Sequence, residues 1–202
     1  MADRTVTSAR RVLDFWLEEI GEAGWYAGGD AIDARCQDFT PMWEEARDGA
    51  HGLWLTDAEG ALAYLILTDQ LPRNMFRGRA DSFATDPMAR AAASGAIDKG
   101  FDLATPLPQR QFFYLPLEHS EDAADQARAV ALIGERMDGA GHILLHARAH
   151  QAIIARFGRF PTRNAALGRK DTPAESAWLA AGAYGAVVRA LEQGHDPDFP
   201  PD

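Results

Sequence analysis

The chain reads Leu71-Pro72-Arg73-Asn74-Met75-Phe76-Arg77-Gly78-Arg79 after an apolar, helix-like segment, and further on it reads Phe160-Pro161-Thr162-Arg163-Asn164-Ala165-Ala166-Leu167-Gly168-Arg169. Both stretches contain Arg-Asn-x-x-x-Gly-Arg shortly after an apolar residue and a proline. Proline lacks an N–H group and clashes with the preceding turn, so each proline is predicted to end the helix before it. Because the same corner is used twice, the sequence favours helix pairs that repeat loosely.

On either side of these two corners, recurring helix start and stop signals predict a series of helices. No stretch alternates polar and apolar residues for long enough to predict a strand. Capping boxes are predicted at Thr56 to Glu59 and at Thr172 to Glu175, and Asp86 is predicted to cap a helix that begins at Pro87. The segments expected to be helical are 57–71, 87–99, 120–137, 142–157 and 173–193. Proline is expected to end a short aromatic helix at Pro116. The fold class is therefore all-α, either a compact up-and-down array or antiparallel helix pairs stacked as an α/α superhelix.

The length and composition suit one folded domain. The chain has 202 residues, of which 47% are hydrophobic, which is enough for a core. We expect a single helical domain over residues 1–194 and an irregular tail over 195–202, which contains three prolines.

Charge and cysteine content limit the possible partners and the compartment. The net charge of −10 argues against nucleic-acid and anionic-membrane partners, which need a cationic surface. The apolar runs are too short to cross a bilayer, and Met1-Ala2-Asp3-Arg4 does not begin a signal peptide. The single cysteine, Cys36, excludes an internal disulfide. The sequence thus predicts a cytoplasmic protein. It contains no phosphate loop, dinucleotide fingerprint or nucleophile elbow, and no cofactor is expected. It does not define the oligomeric state.

The first corner supplies four candidate ligand-binding residues, Asp69, Arg73, Asn74 and Arg77. An acid four residues before an arginine is predicted to form a local ion pair that fixes the corner. Arginine offers five donors in a fixed arrangement, which suits a phosphate, a carboxylate or the carbonyl groups at a helix end. The corner could therefore bind an anionic ligand, or it could only brace a turn.

The second corner supplies four more candidates, Arg159, Arg163, Asn164 and Arg169, close to Gly158, Pro161 and Gly168. So many planar polar side chains exceed what a plain connection needs, and a binding role is predicted for them.

A candidate acid–base group lies at Glu118 and His119, followed by Glu121. Carboxylates beside a histidine can raise the pKa of the imidazole and fix its tautomer, as a general base requires, although acids also suit a helix start. His150 is the third candidate catalytic residue, because it lies two turns before the second corner. His142 and His146 share its helix face at a spacing of four. This stripe is a weak metal signal, so no metal is predicted, and the first two histidines are expected to be more exposed.

Several of these stretches together resemble a bacterial family known as domain of unknown function 924. The matching stretches are Val12-Leu13-Asp14-Phe15-Trp16, Leu67-Thr68-Asp69-Gln70-Leu71-Pro72-Arg73-Asn74 with Phe76-Arg77-Gly78, Phe83-Ala84-Thr85-Asp86, Pro116-Leu117-Glu118-His119-Ser120-Glu121, and His150 with Arg156-Phe157-Gly158-Arg159-Phe160-Pro161-Thr162-Arg163-Asn164 and Leu167-Gly168-Arg169. The resemblance implies a tetratricopeptide-like α/α superhelix and no known activity. Thr162 departs from the family, which usually has histidine there.

Three functions fit these residues. The first is a site for a small anionic ligand bearing a phosphate or a carboxylate, in which Glu118, His119 and His150 supply acid–base chemistry. The second is a helical-repeat scaffold that binds a peptide or protein. In the third, the two Arg-Asn corners are purely structural. The first function further predicts that both corners approach the same side of the domain, and that His150 lies near Glu118 or His119.

Overall fold

The protein is predominantly helical in the part that the computed structural model describes, residues 2–201, with side chains described from Thr7 onward. No β-strand occurs in this part of the chain, which confirms the all-α class. The helices are α1 (Ala2–Leu13), α2 (Gly21–Gly24), α3 (Asp30–Cys36), α4 (Thr40–Arg47), α5 (Ala58–Leu65), α6 (Leu71–Met75), α7 (Asp86–Asp98), α8 (Phe101–Ala104), α9 (Leu115–Glu118), α10 (Ala123–Arg136), α11 (Gly141–Phe157), α12 (Pro173–Ala180) and α13 (Ala183–Glu192). Five short 3-10 turns lie among them, at Gln37–Phe39, Gly52–Thr56, Ala80–Phe83, Gln109–Phe113 and Pro161–Arg163.

The helices group into two compact units, Met1–Pro116 and Leu117–Asp202, and each unit is described by itself. The first corner belongs to the first unit and the second corner to the second. That both corners approach one side, and that residues 1–194 act as one domain, therefore stay predictions.

The first unit is organised around α5 and α6, which are joined by the π-helical turn Ile66–Gln70. Six consecutive residues of this rod, Leu65 to Gln70, are almost completely buried. The prediction that Pro72 ends the helix is wrong by one turn, since α6 continues to Met75. In the π turn the Leu71 N–H group bonds to the Ile66 carbonyl, five residues back. This wider turn lies directly before Pro72 and relaxes the helix where the proline has no N–H group to donate.

Aromatic side chains fill the remainder of the first core. Trp16, Trp43, Phe112 and Phe113 are among its largest fully buried side chains. The Trp25 and Phe112 rings meet edge to face with centroids 4.8 Å apart. Buried Cys36 lies in the same unit, and burial raises the pKa of its thiol to about 12. The thiol therefore stays protonated at neutral pH and acts as an apolar packing group.

Two predicted helix caps in the first unit are shifted by one residue. Asp57 caps α5, because its carboxylate accepts from the Gly60 N–H group at 2.8 Å, whereas the Thr56 hydroxyl donates to the Leu53 carbonyl. The N-cap of α7 is Thr85 and not Asp86, whose carboxylate pairs with Arg73. The capping box predicted at Thr56 is therefore wrong, but the predicted starts of α5 and α7 are correct to within two residues.

Replacing Asp57 with alanine is expected to lower the free energy of unfolding by about 1 kcal/mol, because one N–H group at the start of α5 loses its acceptor. Urea unfolding of the variant measures this loss. Thr56→Ala is the matched control and should cost less than Asp57→Ala. A larger loss for Thr56→Ala would restore threonine as the cap.

The second unit is built on the pair α10 and α11, which are connected by only four residues, 137–140, and so run antiparallel. Its core contains Ile153, Ile154, Phe160, Trp178 and Val187. The capping box at Thr172 and Glu175 is confirmed, with both reciprocal hydrogen bonds formed. The predicted helix 173–193 is interrupted, because Gly182 adopts φ 105° between α12 and α13.

The boundary of the two units and the end of the chain both involve prolines. Pro116 does not stop the aromatic segment as predicted; it lies inside α9, which places Glu118 at its end.

Residues 195–201 form no helix, yet the Phe199 ring meets the Phe157 ring edge to face at 5.6 Å. The Arg156 guanidinium donates to the Pro200 carbonyl at 2.6 Å, so the tail packs on the second unit.

None of the helices within residues 2–201 combines the length and the hydropathy that crossing a lipid bilayer requires.

Candidate functional site

The first corner is held by ion pairs within its own unit. The Arg73 guanidinium donates to both carboxylate oxygens of Asp86 at 3.1 and 3.3 Å and lies 3.3 Å from the Asp69 carboxylate. The predicted local pair of Asp69 and Arg73 is therefore confirmed. Burial opposes the charge of Arg73, but the carboxylates of Asp69 and Asp86 outweigh it and raise the Arg73 pKa. Arg73 thus joins the end of the α5–α6 rod to the start of α7.

The other two residues of this corner contact α3. The Arg77 guanidinium donates to both oxygens of Asp33, at 2.7 and 2.8 Å, and to the Asn74 side-chain oxygen at 3.0 Å. The Arg77 side chain is 55% exposed, so this pair adds little stability but sets the direction of the guanidinium. Sequence reasoning did not identify Asp33 as the partner, because nothing local relates residues that are 44 positions apart.

The second corner contains two bidentate pairs. The Arg159 guanidinium donates to both oxygens of Glu175 at 2.6 and 2.8 Å. The Arg169 guanidinium donates to both oxygens of Glu121 at 2.8 and 2.9 Å. Burial would raise the pKa of Glu121, but Arg169 and the Phe160 N–H group outweigh it, so the pKa is lowered. Both glutamates therefore stay ionised at neutral pH and brace the corner.

Asn164 lies inside this corner and is almost fully buried. Its amide nitrogen donates to the Asp171 carboxylate at 2.7 Å, while its side-chain oxygen has no hydrogen-bond partner among the described residues. Thr162, where the family usually has histidine, is exposed next to it.

The sequence-predicted acid–base residues meet in the second unit. The Nδ1 atom of His150 lies 3.4 Å from the carboxylate of Glu118, and the His119 and His150 rings meet edge to face with centroids 6.1 Å apart. The prediction that His150 lies near Glu118 or His119 is thus confirmed. Glu118 ends α9 and His150 lies on α11, so this contact joins the two helices.

The Glu118 carboxylate has an unusual environment. The residue is 1% exposed, and the Oε1 atom has no hydrogen-bond partner among the described residues. A buried carboxylate oxygen without a donor is costly, and such groups concentrate at functional sites. The imidazole of His150 approaches the other oxygen as a possible cation.

Arg163 reaches the same cluster. Its guanidinium donates to the His119 carbonyl at 2.9 Å and lies over the Phe160 ring, 4.6 Å from the centroid. The Phe160 ring in turn meets His150 edge to face at 5.5 Å. One arginine of the second corner therefore lies at the histidine cluster, while Arg159 and Arg169 bind glutamates.

Two residues of the cluster differ from the sequence prediction. Tyr184 was not predicted, although its ring lies 5.0 Å from that of His150 and its hydroxyl 2.6 Å from Nδ1 of His146. His146 was expected to be exposed and unnecessary, but it is half-buried and joined to Tyr184, whereas His142 is exposed as predicted. No group of three or more His, Cys, Asp or Glu among the described side chains is arranged to hold a metal ion.

A family is identifiable from this fold and sequence. The chain belongs to the family described as bacterial protein of unknown function (DUF924), whose profile matches residues 12–183. It is similar to a solved structure of a protein of unknown function from Agrobacterium tumefaciens, with 42% identity and a TM-score of 0.83. That similarity covers 88% of this chain and 99% of the other. Among curated proteins, none matches the chain.

Proposed function

We propose that the protein binds a small ligand bearing a phosphate or carboxylate group at the cluster of Glu118, His119, His150 and Arg163. In this proposal His150 acts as a general base towards the bound ligand. The proposal rests on the buried Glu118 carboxylate, which faces His150 with one oxygen and has no donor for the other among the described residues. A tetratricopeptide-like superhelical scaffold and a cytoplasmic location belong to the same proposal, as the family resemblance and the lone cysteine predict.

The contacts of His150 support a role as a base. Nδ1 lies 2.9 Å from the His146 carbonyl, and because a carbonyl can only accept, Nδ1 of the neutral ring carries the proton. The lone pair then lies on Nε2, which is the atom that can accept a proton from a ligand. The Glu118 carboxylate stabilises the imidazolium that results, as a carboxylate beside a catalytic histidine does.

The position of Arg163 supports an anionic ligand. A guanidinium binds phosphate and carboxylate groups through paired hydrogen bonds, and these bonds are stronger than neutral ones. Packing on Phe160 and the bond to His119 hold this guanidinium beside the histidines. Its charge would place the acidic group of a ligand next to His150.

The remaining ligand-binding candidates have a structural role, because they stabilise the two corners and do not contact the ligand directly. This group comprises Asp69, Arg73, Asn74, Arg77, Arg159, Asn164 and Arg169. The arginines among them are paired with carboxylates of their own unit, as the two bidentate pairs of the second corner illustrate. A ligand would have to displace those carboxylates, which disfavours direct binding.

Thermal-shift measurements against phosphorylated and carboxylated metabolites test the proposal. A ligand present at about 100 times its Kd should raise Tm by about 5–10 °C for a chain of this size. His150→Ala and Arg163→Ala should abolish that rise, because the base and the anion contact are lost. His142→Ala is the control from the same helix, and its exposed side chain predicts an unchanged response. If the response survives in His150→Ala while the melting temperature of the free protein falls, His150 is a core histidine and the proposal is wrong.

A further inference from the structure

Tyr184, on the neighbouring helix, contacts two of the three histidines of α11, His146 and His150. It follows Gly182 and Ala183 at the start of α13, and its ring is stacked on His146, with centroids 5.8 Å apart and an interplanar angle of 16°. The same ring lies 5.0 Å from His150 at a tilt of 44°. Because residues four apart share a helix face, one aromatic ring contacts both imidazoles.

The Tyr184 hydroxyl is hydrogen-bonded to Nδ1 of His146. The two atoms are 2.6 Å apart, and His146 is the one hydrogen-bond partner of this hydroxyl within the described residues. If Nδ1 of His146 were the donor instead, the half-buried O–H group would have no acceptor there. Burial raises the pKa of Tyr184, and the charge of Glu118 raises it further, so the phenol keeps its proton. Burial lowers the pKa of His146, and the neighbouring His150 and His142 lower it further, so the ring is neutral near pH 7.

The two histidines therefore differ in which nitrogen carries the proton. His146 accepts at Nδ1 and carries its proton on Nε2, while His150 donates from Nδ1 and has its lone pair on Nε2. One face of α11 thus holds a hydrogen-bond donor and a hydrogen-bond acceptor one turn apart.

We propose that Tyr184 is a positioning residue of the ligand site, and that it holds His146 in the tautomer opposite to that of His150. The ligand group that fits this pair has an acidic O–H beside a second oxygen, as in a hydrogen phosphate. Its O–H proton passes to Nε2 of His150, and its neighbouring oxygen accepts from Nε2–H of His146. The ligand part of this inference rests on the proposed function, while the tautomer part does not.

Long-range ¹⁵N–¹H NMR spectra of the full chain, labelled at histidine, test the tautomers directly at a pH of about 7.5. His146→Gln and His150→Gln assign the signals. We expect the Nε2–H pattern for His146 and the Nδ1–H pattern for His150 in the unsubstituted protein. Tyr184→Phe should convert His146 to a mixture of tautomers and leave His150 unchanged. Tyr64→Phe is the control, because that hydroxyl lies 3.7 Å from the sulfur of Met88, away from any histidine.

Inorganic phosphate serves as the probe for the ligand part. Tyr184→Phe should weaken its binding about fivefold to tenfold, the effect of one lost hydrogen bond, with the fold intact by circular dichroism. An Nδ1–H pattern for His146, or a His146 signal that Tyr184→Phe leaves unchanged, overturns the inference. So does unaltered phosphate binding in a Tyr184→Phe protein whose His146 tautomer has changed. If the tautomers are as expected but neither phosphate nor any metabolite binds, the proposed function fails and the tautomer assignment stands.

Discussion

Replacing Gly60 with alanine is expected to lower the free energy of unfolding by about 3 kcal/mol, the upper part of the range for overpacking a core. A β-carbon at this position would lie 2.3 Å from the Trp54 carbonyl oxygen and 3.0 Å from its carbonyl carbon. Real β-carbons do not approach backbone atoms so closely. Since the obstacle is backbone and not the end of a flexible side chain, α5 and the 3-10 turn Gly52–Thr56 would have to separate. Urea unfolding followed by circular dichroism measures the loss.

Gly95→Ala provides the matched control on α7. A β-carbon there would meet nothing within 4 Å, and the residue is exposed within the helix. Alanine is therefore expected to stabilise the protein by about 0.5–1 kcal/mol through its higher helix propensity. Equal effects of the two substitutions would show that α5 does not pack on the Trp54 backbone as the structure indicates.

Helix positions were predictable from the sequence because capping and helical spacing are local properties. Both act over about four residues, so the starts of the five predicted helices could be placed to within three residues. Which residue caps was harder to decide, since Thr56 and Asp57 are neighbours and both side chains can accept from an N–H group. The choice depends on where α5 joins the preceding 3-10 turn, and that is a matter of packing.

The prolines show where local rules stop being sufficient. Pro72 and Pro116 were both expected to end helices, and both lie inside one. At Pro72 the preceding π turn changes the hydrogen-bond pattern. No sequence pattern predicts such a π turn, because it depends on how the buried residues of the rod pack.

The histidine cluster was predictable only in part. Glu118 and His119 are adjacent, and His150 lies close to the second corner, so local patterns selected all three. Tyr184 is 34 residues beyond His150 in a segment without a motif, and only the packing of α13 against α11 brings it to the cluster. The role of His146 follows from Tyr184, so it was missed together with that residue.

The two corners share a sequence motif, but their side chains make different contacts. Arg73 and Arg163 occupy the same position in the motif. Arg73 binds the Asp69 carbonyl and the carboxylates of Asp69 and Asp86, whereas Arg163 donates to the His119 carbonyl and lies over the Phe160 ring. Asn74 accepts from an arginine, whereas Asn164 donates to an aspartate. The repeated motif therefore determines the turn and places planar polar side chains at each corner. The hydrogen-bond partners of those side chains depend on which other groups the fold of each unit brings close to the corner. A binding role cannot be carried from one corner to the other by sequence alone.

Glu175 is the carboxylate on which the second corner depends most. Its side chain is 3% exposed and accepts from Arg159, from the Thr172 N–H group at 2.7 Å and, at 3.5 Å, from Asn164. The hydrogen bonds from Arg159 lower the pKa of Glu175 to about 2, with the Thr172 N–H group adding to the effect and burial opposing it. The carboxylate thus joins the start of α12 to the corner that follows α11.

Glu175→Gln is expected to lower the free energy of unfolding by about 3 kcal/mol at pH 7, because Arg159 loses its partner while the shape of the side chain is kept. The pKa of Glu175 is lower in the folded protein than in the unfolded chain, so its contribution is complete above a pH of about 4.5. It is lost as the pH falls from there towards about 2, where the folded-state carboxylate takes up its proton. Urea unfolding of both proteins across this range should show their difference shrinking with falling pH. Glu135→Gln, at an exposed position of α10, should stay within about 0.5 kcal/mol of the unsubstituted protein throughout. A difference for Glu175→Gln that is the same at pH 7 and at pH 3 would mean that the charge of Glu175 does not hold the corner.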